Sequence, residues 1–331
     1  MLDFIKENIS NLSHGDFSAI RNNAKYIRNK IYGYPNELLI EPTNICNLKC
    51  VLCPTSGDFM ERSRGFMKFD NFRRIVDNIK GIVSEVVLFF SGEPFLNKDI
   101  FKMIKYCSKQ SIKTKISTNA TVLDKGNAEK LLKSGLGKIV VSFDGLSKQT
   151  YEKYRVGADF DRVYENIRNL CSRKRELGLR KPLIQLQFIV MKHNEHELPM
   201  LEQVRKELGV DSVQIKSVVI PTWFYEGRDA KRIAKKYLPR GFSRYKSESL
   251  EISKPQSICE YVRKCVILWD GRVCLCCYDV DGAYCFGNAI SEEFTDIWNS
   301  SKYKHARAMI KKRELALCKK CGAAISIVKK V

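Results

Sequence analysis

The chain has 331 residues, 44% of them hydrophobic, and a formal net charge of +21. It contains no apolar run of about 18 residues and no secretory signal, which excludes membrane-spanning and secreted classes and predicts a cytoplasmic protein. The positive charge raises the local concentration of anions, which is compatible with an anionic small-molecule substrate. Nucleic acid is not expected as a partner.

Residues 1–35 are predicted to form one or two short amphipathic helices, with an apolar stripe at Leu2, Phe4, Ile5, Ile9 and Leu12. From Asn36 onward, short β-branched runs alternate with longer helical patterns. The predicted strands are LLIEP, EVVLFF, KTKIST, KIVVSFDG, LIQLQFIV and SVQIKSV. The predicted helices between them cover 70–80, 97–109, 124–134, 161–177 and 196–208.

Six strands joined by five helical crossovers indicate a parallel α/β sheet, but six are too few to close an eight-stranded barrel. We therefore predict a partial (β/α)6 TIM-like barrel over residues 36–225, with its ligand site at the carboxyl ends of the strands. Gln185 and Gln187 share one face of the fifth strand, and Gln214 and Lys216 share one face of the sixth. This alternation predicts a polar lumen.

The strand and helix pattern stops after the sixth strand. Residues 226–254 are predicted to be a basic linker, because nine Lys or Arg lie between Arg228 and Lys254 against three Asp or Glu. A small cysteine-rich domain follows over residues 255–331.

Thirteen cysteines in a cytoplasmic chain favour metal or redox chemistry over a disulfide scaffold, since the reducing thiol pool keeps such thiols free. Eleven of them lie in three groups, at 46–53, 259–285 and 318–321. Cys107 and Cys171 stand alone and are predicted to be buried core residues.

Cys46, Cys50 and Cys53 form a C-x3-C-x2-C motif directly after the first strand. Three thiolates hold three corners of a four-iron cubane and leave one iron without a protein ligand. An open coordination position is what a catalytic metal centre needs. A zinc site is the alternative, but this spacing with no nearby histidine is unusual for zinc.

The segment 36–219 resembles the radical S-adenosylmethionine (SAM) superfamily. The resemblance implies that SAM chelates the open iron and that one electron from the cluster cleaves it to methionine and a 5'-deoxyadenosyl radical. The radical then abstracts hydrogen from the substrate. Leu52 stands where the family usually has an aromatic residue, and is expected to pack against the adenine.

Further positions resemble the SAM-binding residues of that family. The segment Ser91 to Pro94 resembles the GGEP motif that holds the methionine amino group, and Arg155 suits a carboxylate through paired hydrogen bonds. A surface charge on a helix is the alternative for Arg155. The predicted SAM-binding residues are Leu52, Gly92, Glu93, Ser117, Asn119, Ser142 and Arg155.

The C-terminal cysteines resemble the twitch domain, a shortened SPASM extension of radical SAM enzymes. Cys259 lies eleven residues before Gly271, Cys276 follows Gly271 after four residues, and Cys318 and Cys321 form a C-x2-C pair. The resemblance implies a second 4Fe–4S cluster with four protein ligands. A zinc ribbon is the alternative, and either Cys274 or Cys277 is an alternative ligand to Cys276.

The twitch arrangement resembles that of the radical SAM dehydrogenases that act on 2-deoxy-scyllo-inosamine. This predicts an oxidoreductase with two 4Fe–4S clusters and SAM, an auxiliary cluster that accepts an electron, a sugar or cyclitol substrate, and a flavodoxin- or ferredoxin-like electron donor. Peptide modification is the alternative, although only 35 residues precede the first strand, too few for a leader-binding winged helix. A non-catalytic iron–sulfur carrier is a third possibility, which the SAM-binding pattern disfavours.

Three polar residues are candidates for contact with the substrate. Gln187 and Lys216 are predicted to face the lumen, and Asp279 follows the cysteine pair. Burial near a cationic cofactor lowers the pKa of a lysine, so Lys216 is the candidate general base.

Overall fold

The computed structural model describes residues 25–330 except 28, 30, 32, 57–58, 223–224, 226, 253–258, 320 and 322–327. The predicted apolar stripe from Leu2 to Leu12 lies outside the described residues. Residues 25–27, 29 and 31 are helical. The buried Asn29 anchors this segment, because its Nδ2 donates to the carbonyl oxygens of Pro35 at 3.0 Å and Ile82 at 2.7 Å.

The described residues form one sheet of ten strands. In chain order the strands are β1 (Glu37–Ile40), β2 (Glu85–Val87), β3 (Lys113–Thr118), β4 (Lys138–Ser142), β5 (Leu183–Val190), β6 (Ser212–Ser217), β7 (Val266–Ile267), β8 (Arg272–Cys274), β9 (Cys285–Asn288) and β10 (Val328–Lys330). Strands β1 to β6 are parallel and lie side by side in sequence order. The six predicted strands of the partial barrel are confirmed.

Helices connect the strands. They are α1 (Phe69–Ile79), α2 (Ile100–Lys109), α3 (Lys125–Leu132), α4 (Lys148–Tyr154), α5 (Phe160–Glu176), α6 (Leu201–Leu208), α7 (Gly227–Tyr237), α8 (Phe294–Asn299), α9 (Ser301–Lys312) and α10 (Ala316–Lys319). The five predicted helices are present, and α4 was missed. The helix predicted from residue 196 begins as a 3-10 turn over Glu195–Met200, because Pro199 donates no backbone hydrogen bond.

The main apolar core lies between the barrel strands and their outer helices. Alternate strand residues such as Ile116, Ile139 and Leu186 enter it. The isolated Cys107 and Cys171 also belong to this core, as predicted. The intervening residues of each strand face the lumen.

The C-terminal region extends the sheet at both edges, which the sequence did not predict. Strand β7 pairs in parallel with β1, and β8 and β9 follow it as antiparallel strands. At the other edge, β10 pairs antiparallel with β6. The edge strands of the partial barrel are thereby paired rather than left open.

The segment predicted to be a basic linker has regular structure. It contains helix α7 and a bridge between Tyr245 and Ile252. Arg244 is buried, and its Nη2 donates to the carbonyl oxygen of Ser217 at 2.9 Å. The segment therefore packs on the barrel, while the domain boundaries at 225 and 254 stay a prediction.

Within the described part of the chain, we find no helix whose length and apolar character would let it cross a membrane.

Candidate radical SAM site

The loop after β1 brings the first three cysteines together. Its turn is closed by hydrogen bonds from the Cys53 N–H to the Cys50 carbonyl oxygen at 3.0 Å and from the Leu48 N–H to the Cys46 sulfur at 3.4 Å. We call residues 46–53 the cluster loop. Cys50 is buried, and Cys46 and Cys53 are half-buried.

The three cysteines line a cavity of about 210 Å³ at the carboxyl ends of the strands. The cavity also contacts every other predicted SAM-binding residue except Leu52, namely Gly92, Glu93, Ser117, Asn119, Ser142 and Arg155. Phe89, Phe90 and Thr55, which the sequence analysis did not single out, complete much of the wall. The two aromatic rings offer the apolar surface that was expected from Leu52.

Leu52 does not line this cavity. It is buried in an apolar cluster that includes Tyr154, Ile233 and Tyr245. Leu52 therefore packs in the cluster that joins the cluster loop and helix α7, and its contact with adenine stays a prediction.

Gly92 is required by its backbone position. Its φ of +74° lies in the left-handed region, and a Cβ added there would lie 2.5 Å from the carbonyl oxygen of Thr43. The next residue, Glu93, donates its N–H to the carbonyl oxygen of Ile45 at 2.8 Å. The segment after β2 is thus fixed against residues 43–45, which lead into the cluster loop.

The Glu93 carboxylate braces the end of β3. It accepts hydrogen bonds from the Thr118 hydroxyl at 2.7 Å, the Asn119 N–H at 2.7 Å and the Phe95 N–H at 3.1 Å. Burial raises its pKa to about 7, although these hydrogen bonds oppose the shift. A cationic ligand group in the cavity would favour its ionised form.

Arg155 forms a buried ion pair with Asp144, a residue that the sequence analysis missed. The Arg155 Nε lies 2.7 Å from the Asp144 Oδ2, and Nη1 lies 3.6 Å from the Cys50 sulfur. The side chain of Arg155 is 12% exposed, so its interpretation as a surface charge is wrong. Asp144 in the segment SFDG lies two residues after β4, which is the signal that could have identified it.

Two hydroxyl groups remain available to a ligand. Ser117 and Ser142 line the cavity, and neither side chain forms a hydrogen bond with another residue in the ranges described above. Asn119 is fixed beside them, since its Nδ2 lies 3.0 Å from the Asn47 Oδ1 and 3.8 Å from the Cys46 sulfur. The cavity therefore combines a fixed framework with free polar groups.

The cysteine set fits a cluster rather than a single ion. Across the described residues, no group of three His, Cys, Asp or Glu converges on one metal position, whereas cubane ligands each bind a different iron. Burial raises the pKa of Cys46 to about 12 and raises the pKa of Cys50. Both groups must lose a proton to bind iron.

A second set of cysteines assembles in the C-terminal region. We call Cys259, Cys276, Cys277, Cys318 and Cys321 the auxiliary cysteine group. Burial is the largest cause that raises the pKa of Cys277 to about 12, and the neighbouring Cys321 and Cys259 contribute. Burial and the adjacent Cys259 likewise raise the pKa of Cys318. The structure thus gathers the four predicted ligands and also Cys277.

Cys274 forms a disulfide with Cys285 across β8 and β9. It is therefore not a free ligand in this structure, and the expectation that all thiols are free does not hold for this pair. Cys277 remains the alternative to Cys276.

Gln187 and Lys216 face the lumen as predicted, because the residues that flank them, such as Leu186 and Ile215, lie in the outer core. Burial lowers the pKa of Lys216 to about 8, and Lys115 lowers it further. Neither residue lines the cavity next to the cluster loop.

Asp279 has a structural role instead of facing the cavity. Its two carboxylate oxygens accept hydrogen bonds from the N–H groups of Ala283 at 2.7 Å and Tyr284 at 2.9 Å. They fix the turn between β8 and β9. The catalytic role of Asp279 stays a prediction that this geometry does not favour.

The Radical SAM superfamily pattern matches residues 40–201, and the SPASM iron–sulfur cluster-binding domain matches residues 259–322. The chain is 26% identical over 315 residues to a tungsten-containing aldehyde ferredoxin oxidoreductase cofactor-modifying protein of Pyrococcus furiosus. The matched region covers 86% of this chain and 86% of that protein.

Solved structures share the fold. Streptococcus suis SuiB bound to its precursor peptide SuiA superposes with a TM-score of 0.65 at 20% identity, covering 94% of this chain and 77% of SuiB. BtrN in complex with AdoMet and 2-DOIA superposes with a TM-score of 0.53 at 16% identity, covering 89% of this chain and 98% of BtrN. The chain belongs to the radical SAM superfamily and has a C-terminal SPASM/twitch-type iron–sulfur domain.

Proposed function

We propose that the protein is a radical SAM oxidoreductase that oxidises an alcohol of a small, polar, anionic metabolite. When bound, the two clusters and SAM supply a 5'-deoxyadenosyl radical and an acceptor for one electron. Removal of a carbon-bound hydrogen atom and of the hydroxyl proton leaves one surplus electron on the substrate. The alcohol becomes a ketone when the auxiliary cluster accepts this electron. The auxiliary cysteine group is the observation that carries this proposal.

The position of the auxiliary cysteine group supports the electron-acceptor role. Arg244 donates a hydrogen bond to the Ser217 carbonyl oxygen at the end of β6. Burial is the main cause that lowers the pKa of Arg244, whereas the neighbouring Tyr278 and Cys321 act to raise it. Arg244 therefore lies near both the end of the barrel and Cys321, which supports a position of the auxiliary cluster near the lumen.

The lumen supports a polar, anionic substrate. Gln187 and Gln214 face it from adjacent register positions on β5 and β6. Lys115 and Lys216 also face it, and among the described residues neither has an ion-pair partner. A carboxylate or phosphate on the substrate would compensate this positive charge.

Lys216 is the proposed general base. A pKa of about 8 leaves a fraction of the amine neutral near physiological pH, and only the neutral amine accepts the hydroxyl proton. Ser117, Ser142 and Arg155 are proposed to position SAM, because they line the cavity beside the cluster loop.

Modification of a peptide is supported about as well by the comparisons, since SuiB is similar in fold and was solved with its precursor peptide. The lumen lysines, which have no ion-pair partner among the described residues, favour a small anionic metabolite over a peptide as the substrate. A compact anion can enter the lumen whole, whereas a peptide would have to pass its backbone through it.

The substrate class is tested with reduced holoenzyme and SAM incubated with phosphorylated and carboxylated sugars and cyclitols, and separately with synthetic peptides. We expect the anionic polyols to stimulate 5'-deoxyadenosine formation and to yield a product lighter by two hydrogen atoms. Stimulation by peptides alone would establish the alternative.

The electron-acceptor role is tested with the Cys318→Ala/Cys321→Ala variant. We expect iron to fall by about half from about eight per chain, while 5'-deoxyadenosine formation persists and the ketone is lost. The matched control is Cys107→Ala/Cys171→Ala, which removes two core cysteines and keeps the full iron content. Product formed at the wild-type ratio to 5'-deoxyadenosine would instead indicate a redox-neutral reaction.

A further inference from the structure

Five exposed lysines surround the outer side of the cluster loop. We call Lys49, Lys153, Lys192, Lys235 and Lys236 the lysine face. In the part of the chain that the structure describes, none of the five forms an ion pair. Their charge is therefore not cancelled by direct ion pairs.

Contacts join the segments that carry the lysine face. The Lys49 N–H donates to the carbonyl oxygen of Val156 at 2.9 Å, two residues beyond the end of α4. The Lys192 Nζ lies 3.3 Å from the Lys235 carbonyl oxygen. Burial is the largest cause that lowers the pKa of His193 to about 4, and the charges of Lys153 and Lys236 contribute, so both ammonium groups lie near this ring.

The lysine face lies directly over the cluster loop. Lys49 is itself between Cys46 and Cys50. On helix α7, Ile233 and Tyr237 pack in the same apolar cluster as Leu48, Cys50 and Leu52. The Tyr225 hydroxyl also donates to the Val51 carbonyl oxygen at 3.1 Å. The lysines of α7 thus belong to a helix whose apolar side packs in one cluster with the cluster loop.

Several cations on the other outer helices are arranged differently. They pair with an acid one helical turn away, as in Lys80–Asp77, Lys102–Asp99, Lys133–Glu129 and Arg168–Glu165. Such pairs cancel locally and produce little long-range field. Exposed lysines without an ion pair among the described residues also occur elsewhere, as at Lys105 and Lys109 on α2, so the lysine face is distinguished by its position beside the cluster loop.

This surface also includes an apolar element. Val156 is 40% exposed and lies next to Lys49 through their backbone hydrogen bond. An exposed apolar side chain within a ring of cations is suited to a transient protein contact, in which charge steers the encounter and a small apolar centre is desolvated.

We propose that the lysine face is the docking surface for a small acidic one-electron carrier protein that reduces the cluster held by the cluster loop. The carrier loses one electron and the cluster gains it, with no bond formed or broken between the proteins. Docking here gives the shortest route from the surface, because Lys49 belongs to the loop that carries the sulfur ligands. A complementary acidic surface accelerates such an encounter by about 10- to 1000-fold at low ionic strength.

The experiment compares a Lys153→Glu/Lys235→Glu/Lys236→Glu variant with a control of identical charge change, Lys102→Glu/Lys105→Glu/Lys109→Glu on helix α2. Both are anaerobically reconstituted holoenzymes. Stopped-flow absorbance follows reduction of the clusters by a reduced acidic flavodoxin, and fluorescence anisotropy follows binding of the labelled oxidised flavodoxin.

We expect the second-order rate constant and the affinity of the lysine-face variant to fall at least about tenfold at low salt, with a weaker salt dependence. The α2 control should stay within about twofold of the wild type. Dithionite, a small reductant that needs no docking surface, should reduce both variants at the wild-type rate and support equal 5'-deoxyadenosine formation.

Equal losses in the two variants would overturn the proposal, since they would reflect net charge alone. It would also be overturned if the wild-type face bound anionic lipid vesicles or RNA while flavodoxin binding did not depend on the three lysines. A Lys153→Met/Lys235→Met/Lys236→Met variant separates loss of attraction from new repulsion. It should show a smaller loss in the same direction.

Discussion

The cavity beside the cluster loop and the auxiliary cysteine group are built in different ways. In the cavity, Glu93 and Asn119 are fixed by hydrogen bonds, and Arg155 is fixed by Asp144. The auxiliary cysteines come from three separate segments, at Cys259, around β8 and around α10, and their sulfurs lie near one another, with the Tyr261 side chain hydrogen-bonded to Cys277. The first site is therefore fixed by contacts among neighbouring strand ends and one loop, whereas the second gathers its ligands from segments that are far apart in the sequence.

One buried ion pair joins the two regions and offers the strongest test of this comparison. Arg62 forms a bidentate pair with Glu41 at 2.7 and 2.6 Å, and its Nε lies 2.6 Å from the Val280 carbonyl oxygen. Their side chains are 3% and 0% exposed. Arg62 thus connects the strand before the cluster loop to the auxiliary domain.

We expect Arg62→Met to lower the free energy of unfolding by about 3–5 kcal/mol, because it leaves the Glu41 carboxylate buried without its partner. Chemical denaturation of the anaerobic holoenzyme measures this. A double Glu41→Met/Arg62→Met variant should recover part of the loss, since no uncompensated charge remains. A single variant as stable as the wild type would show that the two regions are not coupled through this pair.

The preformed character of the cavity is tested at Gly92. Gly92→Ala places a Cβ 2.5 Å from the Thr43 carbonyl oxygen at a φ of +74°, and we expect a loss of about 1–3 kcal/mol in stability. SAM affinity, measured by equilibrium dialysis, should fall as well. Gly81→Ala is the matched control, because a Cβ there meets no atom within 4 Å. Unchanged SAM binding in Gly92→Ala would mean that this backbone does not shape the cavity.

The barrel was predictable because its signals are local. Each parallel strand is a short β-branched run, and the three cysteines of the cluster loop lie within eight residues, shortly after the first of these strands. Gly92, Glu93, Ser117, Asn119 and Ser142 were identified from their resemblance to the superfamily's SAM-binding positions, and parallel strands bring their carboxyl ends to one edge.

Other features depend on contacts between distant residues. Leu52 occupies the expected position, but helix α7 offers it an apolar surface that no sequence pattern reveals. Asp279 follows the cysteine pair as a candidate acid should, yet two backbone N–H groups of its own turn satisfy it. The pairing of β7 with β1 joins segments more than 200 residues apart in the sequence.

The smallest expected effect concerns Lys216. Variants at this position distinguish a lumen that takes part in catalysis from one that only binds the substrate. Burial lowers its pKa to about 8, and the cations of Lys115 and Arg244 contribute. A general base acts as the neutral amine, so the ketone formed per 5'-deoxyadenosine should rise as pH increases through about 8 and level off above it. Between pH 7 and pH 8 the neutral fraction rises by about fivefold, as expected for a single titrating group.

Lys216→Met should lower product formation and remove this pH dependence, while SAM cleavage by the reduced enzyme continues. Lys115→Met is the matched control, because it removes a lumen cation on β3. Without that cation the pKa of Lys216 should rise, so the control should keep the pH-dependent increase and shift its midpoint upward. A profile in Lys216→Met that still rises through pH 8 would assign the titrating group to another residue. It would leave Lys216 as a charge that binds the substrate anion and would limit its role in the lumen to recognition.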